Sequence, residues 1–256
     1  MTNDDIFRIA LRQSAIDMGC EPGDFISGKN LVTISRPSEQ ARKYLELPFD
    51  CNLVYYGKGV VASVREELAE PVRRYINSYP ARNCFETPNL YALNDALAGL
   101  GLRVCFMAEY FLPDVDAIRR HTCGYRMLLM DKNDFPELYK PEWGNALCTD
   151  RKHLDVMGVG AFDGEKPIGL AACSADCADM WQIGVDVLPE YRQKGIASAL
   201  TSRLALEILA RGKAPFYCAA WSNVASVRNA IKSGFRPAWV ELTAKSVEYI
   251  DKMNGK

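Results

Sequence analysis

At 256 residues, 48% of them hydrophobic, the chain can bury one large core or two smaller ones, and its length favours two domains. Its 31 basic and 32 acidic residues leave a net charge of -1, which argues against bulk attraction to nucleic acid or an anionic membrane, so any anion site must be local. Met1-Thr2-Asn3-Asp4-Asp5 carries acids where a secretory signal carries bases, and no apolar run approaches the roughly 20 residues of a membrane helix; the expectation is a cytoplasmic protein.

In chain order, Thr2 and Asp5 resemble a capping box, and Phe7, Ala10, Leu11, Ala15 and Met18 keep helical spacing up to Gly19. Leu31 to Ser35 and Leu53 to Ala62 read as strands, the second interrupted by Gly57 and Gly59. Ser63 with Glu66 then predicts a helix carrying Val64, Leu68, Val72 and Ile76, kinked at Pro71. A helix from about Asn89 to Ala98 and a strand from Leu102 to Ala108 follow, giving this half an α/β rhythm without a chemical signature. The pattern breaks between Phe111 and Gly124, so the expected division is an N-terminal α/β domain, 1–123, and a second domain, 124–256.

The second half opens with a strand, Tyr125 to Met130, and a short helix, Asn133 to Tyr139. Val156 to Phe162 and Ile168 to Ser174 form an expected hairpin turning at Asp163-Gly164. Trp181 to Leu188 is a further strand, stopped by Pro189, and a turn leads into a helix opening at Gly195-Ile196-Ala197-Ser198. Leu200, Leu204, Ile208 and Leu209 give that helix an apolar stripe ending near Arg211-Gly212. Phe216 to Trp221 is a strand, Val224 to Lys232 a helix, and the tail from Trp239 to Leu242 is expected to close the sheet.

The nine cysteines lie mostly in apolar runs such as Val104-Cys105-Phe106 and Tyr217-Cys218-Ala219, which predicts reduced core thiols rather than a disulfide framework. Cys173 and Cys177 have no second Cys or His pair nearby, so no metal is expected.

The helix opening at Gly195 is the one anion-binding feature. Its first N–H groups have no intrahelical partner, and the helix dipole places partial positive charge there. Gly195 lets the backbone approach a ligand; Arg192 and Lys194 can neutralise phosphate, and Gln193, Gly195 and Ala197 offer main-chain donors. Arg192-Gln193-Lys194-Gly195-Ile196-Ala197, preceded by Val187-Leu188-Pro189, resembles the pyrophosphate loop of the GNAT N-acetyltransferase superfamily. A second block agrees: the strand Phe216 to Trp221, then Asn223, Ser226 and Gly234-Phe235, is similar to the family's Asn, two residues, Ala or Ser motif and its Gly-Phe helix end.

The resemblance covers the second half and implies a GNAT fold, a mixed and splayed central sheet flanked by helices. It implies that the strand before the loop and the strand before Asn223 part, with Asp186, Val187 and Leu188 lining the slot. Val187, Leu188, Arg192, Gln193, Lys194, Gly195, Ile196, Ala197, Ser198, Asn223 and Ser226 are then expected to hold acetyl-CoA, the cosubstrate. The implied reaction is direct attack by an amine on the thioester, with no covalent enzyme intermediate.

Many family members place a general-acid Tyr in the helix before Gly-Phe, a position that falls here on Ala230. Tyr217, Ser222 or a water are the alternatives. Asp186 is the expected base because Gln182, Gly184 and Asp186 share one face of a strand otherwise apolar at Ile183, Val185 and Val187. Against this stands a carboxylate hydrogen-bonded to a neighbouring loop, and Asp176 and Asp179 are further candidates near the acceptor. Gly158-Val159-Gly160 lacks the third glycine of a dinucleotide fingerprint, and neither His121 nor His153 sits by a nucleophile motif.

The reading is an N-acetyltransferase acting on an amine acceptor, with a homodimer left open. The alternatives are a non-catalytic acyl-CoA-binding regulatory module, favoured by Ala230, and a peptidyltransferase built of two GNAT-like halves.

Overall fold

The computed structural model describes residues 1–256. Its α-helices are α1 (Asn3–Met18), α2 (Ala69–Ser78), α3 (Thr87–Ala98), α4 (Ile196–Ala210), α5 (Val224–Lys232) and α6 (Val247–Met253). Its strands are β1 (Leu31–Ile34), β2 (Cys51–Tyr55), β3 (Val60–Val64), β4 (Leu102–Pro113), β5 (Arg126–Asp131), β6 (Asp155–Asp163), β7 (Lys166–Ser174), β8 (Met180–Val187), β9 (Ala214–Ala220) and β10 (Phe235–Ser246). No helix is long and apolar enough to cross a membrane.

Three local expectations change. The interrupted strand around Gly57 and Gly59 is a hairpin of β2 and β3, and Ser63 and Val64 end β3 instead of opening a helix, because Val60, Val61 and Val64 pair across to Tyr55, Val54 and Cys51. Pro71 lies in the first turn of α2, where its missing N–H breaks no intrahelical bond and so requires no kink. Asn133 to Tyr139 holds only a single 3₁₀ turn, Pro136–Leu138.

The chain forms two compact units: Met1–Ile9 with Phe111–Pro237, and Ala10–Tyr110 with Ala238–Lys256. A single cut after residue 123 does not describe them. The reason lies in the tail, where Val240 to Ala244 pair antiparallel with Tyr55 to Cys51, so the C-terminus completes the unit that holds residues 10–110.

In that unit β1 and β3 are parallel, while β2 is antiparallel to both β3 and β10. Leu53, Val64, Val72, Ile76, Leu97 and Leu242 fill its core. Arg42 is buried, its Nε 2.5 Å from Asp17 Oδ2 and its Nη2 2.7 Å from Glu241 Oε1. Trp239 stacks on Tyr56 and Tyr110 at centroid distances of 5.1 and 4.7 Å, and its Nε1 donates to Glu241.

In the unit built on residues 111–237, neighbouring strands follow the order β5-β6-β7-β8-β9. The first four pair antiparallel, and β8 pairs parallel to β9, which makes the sheet mixed. Ile196, Leu200, Leu204 and Ile208 of α4 pack with Val159, Ile168, Ala171 and Ile183 of the sheet. A separate cluster of Phe135, Leu138, Trp143, Ala146 and Leu147 packs with Leu170 and Ala172 of β7. This alternation along β7, Ala171 to one cluster and Leu170 and Ala172 to the other, is the period-two pattern of a strand covered on both faces.

Candidate active site

The parallel ladder between β8 and β9 is short: Met180, Trp181 and Gln182 face Ala214, Pro215 and Phe216, and the pairing goes no further. Ile183 to Val187 remain paired to β7 on their other edge, while Tyr217 to Ala220 no longer serve as their partners. Two strand edges therefore open into a wedge, and unpaired strand edges offer main-chain donors and acceptors to an extended ligand. The resulting cleft has a volume of about 720 Å³ and is lined by both edges together with Arg192, Gln193, Ala197, Asn223 and Ser226.

At one end the wedge meets the start of α4. Pro189–Tyr191 forms a 3₁₀ turn, Gln193 has φ 62° and Gly195 has φ 77°, so two left-handed residues turn the chain from strand into helix. Gly195 is the N-cap and no side chain caps the helix, which leaves its first N–H groups to be satisfied from outside. Arg192 Nε donates to Val187 O at 3.1 Å, tying the turn to the end of β8.

The expected binding residues divide by position. Asp186, Val187, Arg192, Gln193, Ala197, Asn223 and Ser226 line the main cleft, and Gly195, Ile196 and Ser198 line an adjoining cavity of about 360 Å³ around the helix start. Ser198 is buried and donates to Gly195 O at 3.0 Å, so its hydroxyl holds the turn together. Ile196 turns its side chain into the core and offers only backbone. Leu188 and Lys194 line neither cavity: Leu188 donates its N–H to Ile168 O and packs on the Phe135 cluster, while Lys194 Nζ lies 3.4 Å from Tyr125 Oη and 4.9 Å from the Tyr191 ring centroid.

Asp186 sits on the cleft wall with both oxygens engaged. Its Oδ2 accepts the N–H groups of Asn145 and Ala146, each at 2.9 Å, and its Oδ1 accepts Asn145 Nδ2 at 2.6 Å. The loop can lie there because residue 184 is glycine: a Cβ at that position would stand 1.8 Å from Asn145 O. The geometry is that of the loop-anchoring alternative, and it leaves acceptor capacity at Oδ1 for one further partner. Asp176 is buried beside Arg151 at 3.6 Å and Asp179 pairs with Lys213 at 3.3 Å; neither lines the cleft.

Across the wedge, Tyr217 presents the one phenol of the cleft lining. Its Oη lies 2.7 Å from Ser226 Oγ, and burial pushes it above the usual tyrosine range, with hydrogen bonds from Ser226 and Asn229 opposing the shift. Asn223 caps α5, its Oδ1 accepting the Ser226 N–H at 3.1 Å, and thereby positions the Ser226 hydroxyl against Tyr217. Ala230 is fully buried in the core cluster that also contains Tyr217 and Phe235.

Several lining residues were not singled out from the sequence. Asn145 arrives from a loop 41 positions before Asp186, a separation that carries no local signal. Gln182, which the sequence placed only on the face it shares with Asp186, donates to Cys218 Sγ at 3.0 Å across the closed end of the wedge, a pairing visible only once the β8–β9 register is known. Arg228 and Lys232 line the cavity at the helix start. Their spacing of four on a helix beginning at Asn223 is the signal that would have found them.

A mixed sheet that opens between two parallel strands onto an uncapped helix start is a class of α/β arrangement that leaves main-chain donors and acceptors free at the strand edges and main-chain donors free at the helix start. The comparisons with known proteins give that class its family. The protein-family model described as GNAT acetyltransferase matches residues 103–238. Among solved structures, a GCN5-related N-acetyltransferase from Kribbella flavida is similar with a TM-score of 0.50 at 16% identity, over 75% of this chain and 83% of that one. A GCN5-related N-acetyltransferase-like protein from Streptococcus suis is similar at 21% identity and a TM-score of 0.44, over 60% of this chain and 68% of that one. A GNAT-family protein from Novosphingobium aromaticivorans is similar at 21% identity and a TM-score of 0.43, over 56% of this chain. The chain spans 66% of that protein's length, just under two thirds. No curated protein matches the sequence. The chain belongs to the GNAT acetyltransferase family, whose members are acyltransferases, and the mixed α/β sheet expected of its second half is the one it has.

Proposed function

We propose that the protein is an N-acetyltransferase that moves the acetyl group of acetyl-CoA to a primary amine. The observation that carries this reading is the parting of β8 from β9 beyond Gln182 and Phe216, directly beside a helix start with no side-chain cap. The free edge of Ile183 to Val187 suits the amide-bearing arm of the donor. The helix start, flanked by Arg192, suits its diphosphate.

The amine attacks the thioester carbonyl within the wedge, so the protein's contribution is mainly to hold the two reactants at attack distance. The departing sulfur needs a proton or a hydrogen-bond donor, and Tyr217 with Ser226 supplies it from the β9 wall. Ala230 has only a methyl group and can donate no proton from the α5 position, and the strand phenol takes its place. Asp186 fixes the Asn145–Ala146 loop, and its remaining lone pair accepts the amine proton through a water.

A second reading is a non-catalytic acyl-CoA-binding module, favoured by alanine at position 230. Thiol release from acetyl-CoA, followed while a panel of primary amines is offered to the full chain, separates the two. Thiol release with a matching acetylated amine supports the transferase. Tight acetyl-CoA binding with no turnover on any amine selects the binding module, and no acetyl-CoA binding overturns both.

A further inference from the structure

Strand alternation gives the main cleft two faces of unlike chemistry. Ile183, Val185 and Val187 of β8 and Tyr217 and Ala219 of β9 pack with the core beneath α4 and α5, which includes Leu200, Leu204 and Ala230. Gln182, Gly184, Asp186 and Cys218 alternate with them and point to the opposite face of the sheet. There the Asn145 loop lies against Gly184 and Asp186, whose partners on β7, Ala172 and Leu170, pack on the cluster of Trp143 and Leu147. The charged side chains bordering the cleft are Arg192, at the helix start, and Asp186, on this far face.

The far face presents hydrogen-bond acceptors. An ionised carboxylate can only accept, so the Asn145 amide turns its nitrogen to Asp186, at 2.6 Å, and its carbonyl oxygen away. Gln182 likewise spends its amide nitrogen on Cys218 Sγ, 3.0 Å away, and keeps its carbonyl oxygen. Neither carbonyl oxygen accepts a hydrogen bond from the protein, and Asp186 Oδ1 has capacity to spare. With the donor's diphosphate on the α4 side, the amine reaches the thioester from this far face. We infer that the acceptor is a primary amine on a carboxylate-free skeleton, drawn in as its cation and held through its N–H donors, and that free α-amino acids are disfavoured. This rests on the proposed transfer reaction and names the class of its second substrate. An ammonium group brings positive charge and donors only, which match these oxygens. An α-carboxylate, a bond or two from the amine, meets Asp186 instead. The cleft has no cation left to pair with it, because Arg192 stands at the helix start and is tied to Val187 O.

The test follows thiol release from acetyl-CoA by the full chain, offered a panel of amino acids, phenylalanine and serine among them, each beside its amide and its decarboxylated amine. In basicity the α-amine of an amino acid lies between those of its amide and its decarboxylated amine, so a preference for both over the acid reports charge and not nucleophilicity. Each carboxylate-free member is expected to exceed its amino acid in kcat/KM by about tenfold or more, the order of one like-charge contact in a half-buried cleft. Ala220→Arg adds a cation at an exposed position that borders the cleft on the same face as Cys218, and is expected to narrow that ratio by about threefold or more, with a thermal melt checking that the variant is folded. Amino acids turned over as well as their carboxylate-free partners, or a ratio that Ala220→Arg leaves unchanged, overturn the acceptor class while leaving the transferase reading intact. Absence of turnover with every amine of the panel overturns the transferase reading and the acceptor class together.

Discussion

Replacing Gly184 by alanine tests whether the cleft wall is held by the contact between β8 and the Asn145 loop. The added Cβ would meet Asn145 O at 1.8 Å, Asn145 C at 2.7 Å and Ala146 Cα at 3.1 Å, all of them backbone atoms that cannot swing aside. Restoring the carbonyl contact to the 3.0 Å below which real Cβ atoms essentially never come requires the loop to retreat by 1.2 Å. That shift carries the amide–carboxylate bonds, now 2.9, 2.9 and 2.6 Å, out of hydrogen-bonding range. Each such bond to a charged group is worth about 1.5–3 kcal/mol, but Asp186 lies on the cleft, where water replaces part of what is lost, so the expected net cost is about 2–4 kcal/mol. For a protein of this size each kcal/mol moves the melting temperature by about 2–4 °C, which places the variant about 5–15 °C lower in calorimetry. Acetyl-CoA binding is expected to stay within about threefold, because the helix start is untouched, while kcat falls by at least about tenfold as the wall opens. A variant with unchanged melting temperature and unchanged kcat would refute the argument that this loop shapes the site.

Three further outcomes are expected. Gly195→Val places an L side chain at φ 77°, a strain of about 1–2 kcal/mol; with nothing of the protein within 4 Å of its Cβ, the new group occupies the ligand's space, so acetyl-CoA affinity measured by calorimetry falls far more than stability does. Tyr217→Phe is expected to lower kcat by about a hundredfold with little change in donor affinity. Because burial raises the Tyr217 phenol, its proton is held to higher pH, so the natural enzyme keeps this contribution through neutral pH and loses it only above the ordinary tyrosine value of about 10, a limb absent from the variant's pH profile. Arg42→Met leaves the Asp17 and Glu241 carboxylates buried without their cation and is expected to destabilise its unit by about 3–5 kcal/mol in urea unfolding, with the cleft's acetyl-CoA affinity retained.

What the sequence revealed follows how far apart the interacting residues lie. The turn at Pro189, the glycine at 195 and the stripe of α4 sit within about two dozen consecutive residues, and their chemistry is local: ring constraint, positive φ and helical period. The same holds for Asn223, whose capping bond reaches three residues. The course of the tail was not legible, because Val240 to Ala244 fit any sheet edge and only the full structure shows them pairing with β2. The helix expected from Ser63 exists but starts later, at Ala69 after a 3₁₀ turn at Glu66–Leu68, for a related reason: a local capping signal lost to cross-strand pairing of Val60, Val61 and Val64. The place of Asp186 on the cleft-facing side of β8 was legible from strand alternation, but its partners were not, since the donors that occupy it come from Asn145 and Ala146.

This difference in sequence range has a functional consequence. The end of the cleft proposed to receive the anion is encoded in one continuous segment, whereas the end proposed for the reaction is assembled from Asn145, Gln182, Asp186, Tyr217 and Ser226, brought together by strand register and loop packing. Changes to the first should alter which donors bind and how tightly; changes to the second should alter turnover while donors still bind. A relative that kept the segment from Val187 to Ser198 but lost Tyr217 or the Asn145 loop would therefore be a binding module, separated from an enzyme by very few residues. Here alanine stands at position 230, and the phenol of Tyr217, from the same core cluster, borders the cleft, hydrogen-bonded to a serine that a helix cap holds in place. Tyr217→Phe is therefore the substitution that separates the two readings: in the proposed transferase it lowers turnover while the donor still binds, whereas in a binding module it changes neither.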